Sequence, residues 1–152
     1  MDVGEPIFDV EVALDHLQRG DDTRKYLLLI GTNYTDAELD RLVEALVASP
    51  NVFTHVVLNS NRLSDVTGSK LACYVASSTS LVLLEIRDND FSDSTLVAIA
   101  RAARITGSLR HFLADASSTH FKKELRRELG ELHSKPGLDW WIVGPCHLSE
   151  KL

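Results

Sequence analysis

Six histidines, two cysteines and many carboxylates supply the raw material for metal binding or acid–base catalysis, but their spacing organises little of it. Cys146 and His147 are adjacent and provide two ligands where a structural zinc needs four. Asp88, Asp90 and Ser92 begin like a calcium loop, yet the twelfth position is Ile99, where a bidentate glutamate is required. Gly68-Ser69-Lys70 lacks the upstream glycine of a phosphate-binding loop. Arg19-Gly20-Asp21 matches an adhesion tripeptide and Asn33-Tyr34-Thr35 a glycosylation acceptor, both meaningful only outside a cell. No serine stands in a nucleophile-elbow context, and no cysteine has a histidine neighbour that the regular part of the chain would bring to it. The expectation is a protein that catalyses nothing and holds neither metal nor cofactor.

Composition narrows the alternatives. The 152 residues suffice for one domain with a real core, since a chain of this size buries roughly 68–70% of the surface it exposes when unfolded. Hydrophobic residues make up 44% and charged residues 25%, with no apolar run near the length of a membrane span, so no membrane association is expected. A net charge of −6 argues against binding nucleic acid. The one basic cluster, Lys122, Lys123, Arg126 and Arg127, is interleaved with Glu124 and Glu128 and reads as a solvated helix face. An acidic N-terminus and only two, widely separated cysteines favour a reducing, cytoplasmic setting.

What must position any functional residues is a repeat. Asn33, Asn61 and Asn89 are spaced 28 residues apart. Apolar residues stand three and five positions before each: Leu28 and Ile30, Val56 and Leu58, Leu84 and Ile86. Ten and fourteen positions after come Val43 and Val47, Leu71 and Val75, Ile99 and Ala103. The same ruler extends to Leu109, Phe112 and Ala114 before Ser117, and to Trp140 and Ile142 before Pro145. Each unit thus opens with a strand of period two and continues into a helix of period 3.6. Leu39, Leu42, Val43, Leu46 and Val47 form one apolar helical stripe. Thr35 with Glu38 is a capping-box pattern at its start, and Ser49-Pro50 marks its end.

The pattern Phe53, Val56, Leu58, Asn61, Leu63 and its copy Leu81, Leu84, Ile86, Asn89, Phe91 resemble the consensus of the leucine-rich-repeat family, in its ribonuclease-inhibitor-like class. The resemblance covers residues 25–117 well and 118–145 only by register. Lys25 stands where the first unit should be apolar, and the last two units lack the asparagine. The implied fold is an α/β solenoid of about four to five strand-helix units, with a parallel concave sheet, helices on the convex side and helical caps at both ends. One domain is expected over residues 1–152, with an N-terminal cap over 1–22, regular repeats over 23–117, and a cap helix and last strand over 118–152. Val10, Ala13, Leu14 and Leu17 carry the first cap; Phe121, Leu125, Leu129 and Leu132 line the second. Caps at both ends favour an independently folding unit.

Residues that alternate with the core positions should face outward on the concave side. That set includes Gly31, Asp115, Asp139 and Val143, and its members expected to contact a partner are Leu27, Leu29, His55, Val57, Asn59, Leu83, Glu85, Arg87, His111, Leu113 and Trp141, with Trp140 turned inward. His55 and His111, two strands apart, would lie about 10 Å from each other at roughly 4.8 Å per strand, too far to share an ion. The apolar members form a patch of the kind that marks an interface. The expected function is non-catalytic protein binding through this face. A homodimer through the same face, or a terminal segment folded over it, are the other occupants in view. In overall layout the chain is also similar to the C-terminal domain of the tropomodulin and leiomodin family, which implies actin as a possible partner and a cytoskeletal role.

Overall fold

A computed structural model describes residues 3–106, 108–115, 139–143 and 149–151. In chain order the elements are α1 (Val10–Gln18), β1 (Tyr26–Leu28), α2 (Asp36–Ala48), β2 (His55–Val57), α3 (Asp65–Ser77), β3 (Leu83–Glu85), α4 (Asp93–Thr106), β4 (His111–Asp115), β5 (Asp139–Val143) and β6 (Ser149–Lys151). The strands form one sheet in sequential order. β1 to β5 are parallel, and β6 returns antiparallel to β5. Every parallel step needs a crossover, and α2, α3 and α4 supply three of them on one side of the sheet. This is the α/β solenoid of strand-helix units that the residues imply.

The core lies between sheet and helices. Leu27, Leu29, Val56, Leu58, Leu84, Ile86, Phe112 and Ala114 from the strand segments meet Leu39, Leu42, Leu46, Leu71, Val75, Ile99 and Ala103 from the helices, all buried. Ala13, Leu14 and Leu17 of α1 are buried at the open end of this stack, closing it as a cap must. The expected closing helix with Phe121, Leu125, Leu129 and Leu132 lies outside the described residues.

Register in the first unit differs from the expectation. Leu27 pairs with Val56 and Leu28 with Val57, an offset of 29, whereas Val56 with Leu84 and Leu84 with Phe112 are offset by 28. Leu27 and Leu29 therefore point into the core and are 0% exposed, not outward as expected, and Leu28 and Ile30 are the outward pair. The added residue sits in the connection from α2 to β2, which spans 49–54 and contains Pro50, against 78–82 in the next unit. The whole first unit moves with it. Gly31, Ser60 and Asp88 occupy the same left-handed turn position, at φ 68°, 60° and 56°. Thr32, not Asn33, is the counterpart of Asn61 and Asn89, and Leu42 and Leu46, not Val43 and Val47, match Leu71 and Val75. The position expected to hold Lys25 belongs to Arg24, whose guanidinium donates to the carbonyls of Glu5 and Pro6 at 2.8 and 2.7 Å.

The asparagines show why the type is needed at the turn. The Asn61 amide nitrogen donates to the carbonyls of Leu29 (2.7 Å) and Leu58 (3.1 Å), while its oxygen accepts from Tyr34 N–H (3.0 Å) and the Thr32 hydroxyl (2.9 Å). Asn89 repeats the arrangement one unit on, donating to Leu58 and accepting from Leu63 N–H at 2.8 and 3.1 Å. Each buried backbone group left without such a partner would cost roughly 1–3 kcal/mol. A second ladder runs along the helix starts. Asp36 accepts from Ser64 N–H, the Ser64 hydroxyl and the Thr67 hydroxyl, and Asp65 accepts from Ser92 N–H. Partial burial works against ionisation of Asp36, but these hydrogen bonds outweigh it and hold its carboxyl below the usual range. Asp65 is lowered for the same reason, chiefly by the Ser92 N–H.

Helix signals in the sequence are realised locally. Thr35 and Glu38 form the reciprocal capping box of α2, and Ser49, before Pro50, is its C-cap. Gly68 lies within α3, where an added Cβ would come 2.3 Å from Thr95 Cγ2 and 3.0 Å from the Phe91 ring. Its role is close helix packing. Among the described residues no helix is long and apolar enough to cross a membrane.

Candidate interaction face

With the first unit in its true phase, strand alternation sets the outward surface of the sheet. β1 and the residues after it present Tyr26, Leu28 and Ile30; β2 presents His55, Val57 and Asn59; β3 presents Leu83, Glu85 and Arg87; β4 presents His111, Leu113 and Asp115. The pairing continues onto β5, where Trp140 lies opposite Phe112 and Trp141 opposite Leu113. That is the phase expected for the two tryptophans; their side-chain burial lies outside the described residues.

Of the eleven residues expected to contact a partner, His55, Val57, Asn59, Leu83, Glu85, Arg87, His111 and Leu113 share this face, and Trp141 has the matching register. Leu27 and Leu29 do not, because an extended strand turns neighbouring residues to opposite sides and β1 is shifted by one. Tyr26, Leu28 and Ile30 replace them and were missed. Four consecutive apolar residues, Leu27 to Ile30, hide the period-two signal; the helix caps Thr35, Ser64 and Ser92 would have revealed the 29-then-28 spacing.

The face has two zones. Its middle and N-terminal rows are mostly apolar, interrupted by Glu85 between Val57 and Leu113: Tyr26, Leu28, His55, Leu83, His111 and Leu113 are half-buried, and Val57 is 6% exposed. The Tyr26 and His55 rings lie with centroids 4.2 Å apart, and the Thr54 hydroxyl is 2.9 Å from His55 Nδ1. Burial pushes the His55 imidazole below its ordinary range, assisted by the proximity of His111, so His55 is neutral at physiological pH.

The other zone, at the C-terminal ends of the strands, is polar and cross-linked. Asn59 donates to Glu85 at 2.7 Å and accepts from Arg87 N–H at 2.8 Å. Arg87 Nε lies 3.5 Å from an oxygen of Asp115, whose other oxygen accepts from Asp88 N–H at 2.6 Å. The hydrogen bonds of Asn59 with Glu85 and with Arg87 N–H, and of Asp115 with Asp88 N–H, order this border before any partner arrives, which lowers the ordering cost of binding. Among the described residues Arg87 Nε makes only the ion contact and no hydrogen bond. Ile30 breaks the border on the β1 side and is 53% exposed.

Both chain ends run along the sheet edges in the described residues. Ile7 bridges β1, donating to Tyr26 O and accepting from Leu28 N–H at 2.8 Å each, and β6 pairs with β5 at the far edge. Neither described segment crosses the outward face. The described residues contain no group of three or more His, Cys, Asp or Glu side chains placed to hold a metal ion. Cys146 and His147 lie outside them.

No protein-family model matches the sequence. No curated protein sequence matches it either. Among solved structures, the tropomodulin C-terminal domain from Caenorhabditis elegans is similar with a TM-score of 0.76 and 20% identity, covering 88% of this chain and 81% of that one. Leiomodin-1 actin-binding site 2 is similar with a TM-score of 0.75 and 19% identity, covering 95% of this chain and 83% of its own. At these identities the likeness establishes the fold: this chain has the leucine-rich-repeat-like architecture of the tropomodulin and leiomodin C-terminal domains.

Proposed function

We propose that the chain is a non-catalytic protein-binding module, cytoplasmic in setting, that engages actin through the outward face of its sheet. Tyr26, Leu28, His55, Val57, Leu83 and Leu113 form the contact centre, with Trp141 extending it. Asn59, Glu85, Arg87 and His111 supply polar contacts. The observation that supports this reading is a largely apolar face, with Glu85 set in its middle row and uncovered by the described terminal segments, on a scaffold similar over nearly its whole length to a domain known as an actin-binding site. Half-buried aliphatic and aromatic groups ringed by ordered polar ones are what a binding hot spot requires. Fold supplies only a prior on function, so the face and not the scaffold is what must be tested.

The experiment is binding of purified monomeric and filamentous actin to the whole chain and to a Leu28→Glu, Leu113→Glu double variant, with circular dichroism as the folding control. The expected result is saturable binding of actin by the parent and a loss of about tenfold or more in the variant, or about 1.4 kcal/mol. Actin binding that survives unchanged in the folded variant would move the site off this face, and no binding of either actin form would overturn actin as the partner.

A further inference from the structure

The outward face is not symmetric along the strands, and the asymmetry says what kind of surface would fit it. At the N-terminal ends of β1 to β4 it offers a phenol and two imidazoles, with His55 neutral. From the middle row to the C-terminal ends, on the β3 and β4 side, three carboxylates, Glu85 in the middle row and Asp88 and Asp115 beyond it, stand against the single guanidinium of Arg87 among the described residues of that border. Arg87 lies 3.5 Å from Asp115, and Glu85 takes a neutral donor, Asn59, so one cation faces three carboxylates and the border keeps a negative excess. Asp88, in the turn after β3, and Asp115, at the end of β4, are exposed.

Dimensions complete the argument. Leu28, Val57 and Leu113 share one row across β1, β2 and β4, where β3 holds Glu85, and Leu83 lies two residues before Glu85. The apolar path over the four strands therefore bends at β3 and is roughly 14 Å long at about 4.8 Å per strand, with Glu85 on its C-terminal side. A helix laid across the strands covers that length with about ten residues, nearly three turns, and presents apolar side chains at i, i+4 and i+7 at a comparable interval. We propose that this face receives an amphipathic α-helix of the partner, its apolar stripe on Leu28, Val57, Leu83 and Leu113 and its basic flank along Glu85, Asp88 and Asp115. The inference rests on the reading of this face as the binding surface, but not on actin being the partner.

The probe is a fluorescein-labelled 18-residue helical peptide with leucines at i, i+3, i+4 and i+7 spacing, lysines along one flank and glutamine and alanine elsewhere. A second peptide carries glutamates in place of the lysines. Anisotropy titrations with the whole chain should show the lysine peptide binding about tenfold tighter than the glutamate peptide at low salt. The preference should shrink towards unity in a Glu85→Gln, Asp115→Asn variant, in which the border hydrogen bonds can still form, and in high salt. Leu28→Glu, Leu113→Glu should abolish binding of both peptides.

Equal affinity for the two peptides, no binding of either, or a preference untouched by Glu85→Gln, Asp115→Asn would overturn the proposal. A parent dimer that sedimentation velocity shows to be dissolved by Leu28→Glu, Leu113→Glu would also overturn it, by assigning the face to a second copy. Peptide selectivity without actin binding would contradict the actin reading alone; actin binding through this face without peptide selectivity would contradict the helix alone.

Discussion

The first repeat and the two that follow build the same strand-turn-helix from different means. Units two and three close their turns with Asn61 and Asn89, each bonding backbone groups of two successive strand segments. Unit one has Thr32 at that place, and its hydroxyl is spent on Asn61 rather than on its own turn. The first turn has no preceding repeat to bind, and its outer neighbour is the strap at Ile7, joined through backbone bonds. An asparagine is thus needed between units and dispensable at the first one. The stability of the stack should accordingly sit in the interfaces between neighbours.

This comparison can be broken most directly at the asparagines. Asn61→Ala leaves the groups of two units without partners and should cost about 2–4 kcal/mol in urea unfolding, whereas Asn33→Gly, at an exposed residue outside the ladder whose left-handed φ of 55° glycine also adopts, should stay within about 0.5 kcal/mol. Equal costs would return Asn33 to the ladder and undo the shifted register.

Position 68 gives the next largest effect. Leu39, Gly68 and Leu96 are equivalent in the three units, and only the middle one is glycine, because Phe91 and Thr95 fill the space a side chain would take. Gly68→Ala gains helix propensity but must displace those neighbours, with a net loss of about 1–3 kcal/mol measured as a lowered denaturation midpoint. An unchanged or raised midpoint would show that α3 and α4 are not in close contact there.

The smallest effect is in the helix-start ladder. Asp36 and Asp65 have carboxyls held below the ordinary aspartate value of 3.8, so their contribution is complete above that value and is lost as pH falls through their folded pKa. Between pH 5 and pH 3 the parent should lose more stability than a Asp36→Asn variant does. A parallel pH dependence for the two would remove Asp36 from the account.

The same contrast explains what could be read from residues alone. In units two to four the alternation of polar and apolar residues, as in His55-Val56-Val57-Leu58-Asn59 and Leu83-Leu84-Glu85-Ile86-Arg87, fixes which side chains enter the core. The helix stripes and the Thr35 capping box were equally legible, since both follow from local geometry. In unit one, Leu27-Leu28-Leu29-Ile30 carries no alternation, and Asn33 stands 28 residues before Asn61 without belonging to the ladder. A one-residue change in the connection at Pro50 was therefore invisible to the strand pattern, and it exchanged Leu27 and Leu29 for Tyr26, Leu28 and Ile30 on the face. The polar border was legible as residue types but not as a network, because the bond from Asn59 to Glu85 and the pairing of Arg87 with Asp115 join residues on different strands.

The central claim is that the outward set of the shifted first strand belongs to a binding face while its neighbours belong to the core. The most direct measurement compares Leu28→Glu with Leu29→Glu for folding and for actin binding. The account predicts that Leu29→Glu fails to fold cooperatively, while Leu28→Glu keeps the parent's circular dichroism and loses actin. A Leu29→Glu chain that folds, beside a Leu28→Glu chain that does not, would contradict it.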